Sequence, residues 1–201
     1  MSLTLLAAAA AAVAATVGYM AARREREAPW EDRDEDERAA PAASPEDALW
    51  DELPFALGDV VLAGSEERWL SGAIVARERG EIVAVVFLAP EGATQRAVVA
   101  FPAPRREILW LAPAAADSPD EPPATLEIAG MTLRRRARLP AALERLGQGA
   151  PSLGEAGIIA LYEGGGHDAA VVLASEGRIH AWVGRRVEEG GYERLGGGGE
   201  G

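Results

Sequence analysis

Hydrophobic and polar positions divide the chain into three regimes. Between residues 3 and 22 the pattern is almost uniformly apolar, and the one ionisable side chain is the phenol of Tyr19. At about 1.5 Å per residue, a helix of that length spans roughly 30 Å, the thickness of a bilayer's hydrocarbon core. Half of these residues are Ala, and Leu3, Leu5, Leu6, Val13 and Val17 contribute only about −0.3 to −0.6 kcal/mol each, so insertion is favourable by a narrow margin. The expectation is an uncleaved single-span anchor. A cleaved secretory signal and a soluble Ala-rich helix are the alternatives; no Lys or Arg precedes the run, which is longer than the apolar core of a signal peptide.

From residue 25 to 52 the pattern turns polar, with twelve acids against three arginines and Pro29, Pro41 and Pro45. Too few apolar positions remain there to offset ordering entropy, which predicts a disordered acidic tether. Trp30, Leu49 and Trp50 stand out in it. They are read either as incidental aromatics and aliphatics or as anchors that dock on the following domain or on a partner.

Beyond residue 53 the pattern is short β runs separated by turn signals. DVVLAG, WLSGAIVARE, GEIVAVVFLAP, QRAVVAFPAP and EILWLAP form a first meander of about five strands. After the break AAADSPDEPP, the stretch ATLEIAGMTLRRRARLP reads as strand, tight turn at Ala129 and Gly130, and strand. PAALERLG is expected to make one or two helical turns, with Pro140 at their start. GIIALYE, DAAVVLAS and RIHAWVG complete a second meander.

The predicted fold is mainly β. A transmembrane anchor covers residues 1–24, an acidic disordered linker 25–52, a first β-subdomain 53–113, a Pro-rich linker 114–123, a second β-subdomain 124–195 and a Gly-rich tail 196–201. The two meanders form either packed small barrels or one barrel-like unit.

Charge changes this picture in two ways. Arg23, Arg24 and Arg26 follow the apolar run directly, which places the bulk of the chain in the cytoplasm by the positive-inside rule. The net charge of −12 argues against a nucleic-acid backbone as partner, since that needs concentrated positive charge. The chain has no Cys, which removes disulfides, thiolate nucleophiles and Cys-ligated metal centres.

Candidate chemistry is sparse. His167 and His180 are the two histidines and share no metal-ligand spacing. A metal shared between them and Asp168 or Glu176 is weighed against scattered imidazoles, and the latter is expected. YEGGGHD lacks the following helix that a phosphate loop requires and reads as a hairpin loop. Ser65, Ser71, Ser152 and Ser175 lie in no nucleophile elbow. Trp69, Trp110 and Trp182 sit in predicted strands and are expected in the core. No catalytic, cofactor-binding or metal-binding residue is assigned, and no cofactor is expected.

The strongest basic cluster is LRRRARL, in which Arg134, Arg136 and Arg138 would project to one face of a strand and Arg135 to the other. These three arginines are the candidate contact for an anion or for the acidic tether, weighed against a solvated face with self-neutralising pairs.

The stretch LPFALGDVVLAGSEERWLSGAIVARERGEIVAVVFLAPEG, followed after the Pro-rich break by LYEGGGHDAAVVLASEGRIHAWVGRRVE, resembles an uncharacterised bacterial family catalogued as a domain of unknown function. The resemblance rests on the Gly58-Asp59 strand start, a central Trp-containing strand, and a late Tyr-containing strand followed by two strands and a Gly-Arg ending, over residues 53–195. It implies a β-rich cytoplasmic accessory protein, in some cases associated with phage-shock-like membrane-stress systems, and no catalytic residue.

The leading functional expectation is therefore a non-catalytic, single-pass protein of a bacterial inner membrane. Residues 3–22 would meet the membrane, and the cytoplasmic β-domain would hold a protein partner. The alternatives are a small-molecule-binding or enzymatic β-barrel, and an envelope protein exported after signal cleavage.

Overall fold

The computed structural model describes residues 49–116 and 121–196. The apolar run, the acidic stretch up to residue 48 with Trp30, and the glycines after residue 196 lie outside the described residues. Among the described residues no helix is long and apolar enough to cross a membrane.

The described strands are β1 (Val60–Ala63), β2 (Glu66–Trp69), β3 (Gly72–Glu78), β4 (Glu81–Glu91), β5 (Thr94–Ala100), β6 (Ile108–Ala114), β7 (Thr125–Ile128), β8 (Met131–Gly147), β9 (Ala156–Glu163), β10 (Asp168–Ser175), β11 (Arg178–Val187) and β12 (Glu193–Leu195). Eight of them close an antiparallel barrel in the order β3-β4-β5-β6-β11-β10-β9-β8, with β8 returning to pair with β3. The two meanders are joined by β6 against β11 on one side and by β3 against β8 on the other. Neither half closes alone, so of the two architectures expected the structure adopts the single barrel.

Local sequence explains the hairpins. Arg79, Ala129 and Glu176 take φ of 53°, 49° and 51°, each followed by a glycine at positive φ. Two successive positive φ values make a type I′ turn, whose twist matches that of the strands it joins.

The strands' near-continuous apolar runs follow from burial on both faces. In β4, Ala84, Val86 and Leu88 point into the barrel, where they meet Ile74, Val99, Leu111, Ile159, Val171 and Trp182. The alternate residues Val85 and Phe87 point outward, under a cover made by the small sheet β12-β1-β2 and the segment before it. Leu49 and Trp50 belong to that cover, Trp50 lying 5.6 Å from Phe87 between ring centroids. They are docked residues rather than incidental ones in the acidic stretch. On another side of the barrel, Leu126, Ile128 and Leu133 of the β7–β8 hairpin cover Tyr162, Val172 and Val183.

Two sequence expectations are corrected along β8. Residues 140–147, expected to turn helically, continue the strand: Pro140 faces Ile158 of β9 in register, and Ala141 and Leu143 are buried on alternate positions. β8 has a ladder neighbour on one side only between the end of its pairing with β7 at Arg134 and the start of its pairing with β3 at Ala142. A residue without an N–H is tolerated in such a one-sided stretch.

Arg134, Arg136 and Arg138 do not project together as the alternation of LRRRARL predicts. A bulge lies between Arg135 and Ala137, so Leu133 packs in the outer cluster while Ala137, Ala141 and Leu143, of the same sequence parity, line the interior. One extra residue reverses the faces of everything after it. Arg134 stands opposite Glu163 and Arg138 opposite Ala160, residues on opposite faces of β9, so the three arginines do not share a face.

Candidate functional site

The sequence EERW makes up β2, and its register against β1 decides what the site is. Val61 and Ala63 of β1 are buried, which turns Val60 and Leu62 outward. Their partners follow: Val61 pairs with Arg68 and Ala63 with Glu66, while Val60 pairs with Trp69 and Leu62 with Glu67. The indole expected in the core is therefore on the surface, 52% exposed, and the guanidinium beside it is buried, at 4%. Trp110 and Trp182 are buried as expected.

On the outward face, Val60 is also the partner of Leu195 in β12. Trp69, Val60 and Leu195 thus form one row across the three-stranded sheet. Trp69 and Leu195 are the exposed large hydrophobics among the described residues, so the two coincide on one face. Leu62 continues the apolar surface, flanked by Glu67 and Glu193, its two register partners.

On the inward face, Arg68 runs into the barrel wall. Its guanidinium lies 3.8 Å above the Trp110 ring and its Nη1 donates to the carbonyl oxygens of Ala97 at 2.7 Å and Leu111 at 2.9 Å. Burial pulls its pKa down to about 10, leaving it protonated at neutral pH. The wall is close-packed there: a Cβ on Gly184 would sit 2.2 Å from the Trp110 carbonyl oxygen. Glu66 accepts a hydrogen bond from the Trp110 indole Nε1 at 3.0 Å and has the guanidinia of Arg68, Arg96 and Arg185 at 3.7, 3.4 and 3.6 Å. The indole hydrogen bond, with those guanidinia adding to it, holds its carboxyl below the ordinary range.

The residues singled out from sequence are distributed elsewhere. Arg136 bridges Glu107 at 3.1 Å and Glu163 at 2.6 Å across one barrel mouth, where Arg186 approaches the same two carboxylates. A cavity of about 40 Å³, with Asp168 and Gly164 in its wall, lies beside them. Arg138 pairs with Glu121 at 2.9 Å. Arg134 makes no ion pair with a described residue. At the other end of β8, Leu143, Gly147, Ala150 and Leu153 line an open trough of about 490 Å³.

The Gly164–His167 loop closes on itself as a hairpin, Gly164 N donating to Asp168 O at 2.9 Å. His167 lies at one end of the β10–β11 hairpin, where its carbonyl accepts from Arg186 N, and His180 lies toward the other, stacked on Trp182 at 6.2 Å. They do not meet. Burial pushes the His180 pKa down, with Arg178 adding to the effect. Ser175 is buried and donates to the carbonyl of Ala156 at 2.8 Å. Among the described residues no group of His, Asp and Glu is placed to hold a metal ion.

No protein-family model, curated protein or solved structure matches the chain.

Proposed function

We propose that the chain is a non-catalytic adaptor whose β-barrel holds a protein partner at the cytoplasmic face of a bacterial inner membrane, tethered there through residues 3–22. The observation that carries the docking role is the outward row Trp69–Val60–Leu195. A solvent-facing Trp aligned with two aliphatic residues on a rigid sheet is the composition of an interface anchor, where aromatic residues dominate binding energy. The barrel interior is filled with side chains, so recognition belongs on the outside.

Charge chooses the partner. Glu67 and Glu193 border the row and the chain carries −12 overall, which disfavours a second copy or an anionic lipid surface. The partner is a protein segment presenting apolar side chains beside Arg or Lys. The tether rests on the length of the apolar run and on Arg23, Arg24 and Arg26 after it.

The test uses the full chain in detergent and two labelled amphipathic peptides of equal apolar content, one rich in Leu and Arg, the other in Leu and Glu. The basic peptide is expected to bind, to weaken with salt, and to lose at least about tenfold in affinity on combined Trp69→Ser and Leu195→Ser substitution. Equal binding by wild type and double variant, or no preference for the basic peptide, overturns the docking face.

A further inference from the structure

The inward face of β2 carries a second arrangement, independent of the docking row. Arg68 and the Trp110 indole are buried and fixed, the first by two carbonyl oxygens and by stacking on the second. Arg96 and Arg185 reach the same point from β5 and β11. Three guanidinia and an indole N–H therefore converge on one place, and what occupies it is the carboxylate of Glu66.

That occupant fits its receptor loosely. The indole hydrogen bond is of ordinary length, but the three arginine contacts are 3.4 to 3.7 Å, against about 2.7 to 2.9 Å for a good charge-assisted bond. The buried Nε of Arg68 has no acceptor, which is uncommon for a buried cation's donor. Three guanidinia contact Glu66 there, and Glu91, bonded to Arg96, is the second carboxylate in contact with them.

Glu66 is also placed to leave. Its side chain is 43% exposed. It is the first residue of a four-residue strand, directly after the Gly64-Ser65 turn. A rotation about its side-chain bonds vacates the position without breaking the β1–β2 ladder.

We propose that Arg68, Arg96, Arg185 and the Trp110 indole N–H form a carboxylate-binding site in which Glu66 is a displaceable internal occupant. The ligand class is a carboxylate, whose two oxygens match the fork of a guanidinium beside a second donor. A bound external carboxylate takes the indole hydrogen bond and the arginine contacts, and Glu66 turns to solvent.

Acetate is the probe, titrated into the full chain in detergent at constant ionic strength with chloride as the balancing anion. The readouts are the Trp110 indole ¹H–¹⁵N signal and the unfolding temperature. In the wild type acetate should shift the indole signal saturably. In Glu66→Ala the same shift should appear at about tenfold lower concentration or less, because the competing internal carboxylate is gone, and acetate should raise the unfolding temperature where chloride does not. Arg96→Gln should weaken the response several-fold in both backgrounds. Glu66→Gln, which keeps the side chain's shape and loses its charge, serves the same comparison if Glu66→Ala does not fold. Indistinguishable responses to acetate and chloride overturn the site. A response in the Glu66 variants with none in the wild type overturns displacement and makes Glu66 a permanent structural partner. Neither result bears on the Trp69 face, which is read by different residues and a different probe.

Discussion

Arg68 and Trp69 are adjacent, and hydropathy assigns them to the wrong sides. A side chain's environment in a sheet is set by strand parity, and parity here is set by β1, whose Val61 and Ala63 must face the core. Arg68 accepts its burial because two carbonyl oxygens and an indole face receive its charge. The energetic consequences are accordingly inverted. Arg68→Ala is expected to destabilise the barrel by about 3 kcal/mol, since it leaves buried polar groups without partners and a void above Trp110. Trp69→Ala is expected to change stability by no more than about 0.5 kcal/mol, as for other exposed positions. Chemical denaturation of the two variants decides the point; a larger loss from Trp69→Ala would mean that β2 is paired in the other register.

At the scale of elements, β8 is where pattern and structure diverge. LRRRARL predicts a strand with one charged face, and that strand exists, but the bulge after Arg135 breaks the alternation. The bulge lets one strand serve two roles: its start places Leu133 on the outer wall and its remainder places Ala141 and Leu143 inside. Deleting Arg136 should therefore be far more damaging than replacing it. Arg136→Gln forfeits partly exposed ion pairs and should cost no more than about 1 kcal/mol. Removal of the residue aligns Leu133 with the interior parity, or else drives Ala141 and Leu143 outward, and should abolish cooperative thermal unfolding. A deletion variant that melts cooperatively near the wild-type temperature would show that the bulge is dispensable. The helical reading of PAALERLG failed for a related reason: local propensity favours a turn of helix, whereas barrel closure requires residues 142–147 to pair with β3.

For the whole molecule, the three buried clusters are assembled from Leu49 onward, and they account for both the interior and the covered outer walls. If residues 3–22 serve only to anchor, their removal leaves this assembly intact. Deletion of residues 1–22 should move the chain from the membrane to the soluble fraction with its unfolding temperature unchanged, as checked by fractionation and calorimetry. An insoluble product without a cooperative transition would make the segment part of the fold.

The mainly β class, the positions of most strands and the tight turn at Ala129-Gly130 were legible in the amino-acid order. Apolar alternation and turn chemistry are properties of neighbouring residues. Closure was not legible. It depends on β6 meeting β11 and β3 meeting β8, pairings between segments far apart in the chain that leave no local mark. The candidate sites are hidden for the same reason: Trp69 and Leu195 flank Val60 from two different strands, and Glu66 of β2 meets Arg185 of β11 on the outer face of the barrel wall. Such neighbours are created by register, and register is chosen by which faces the assembled barrel must bury.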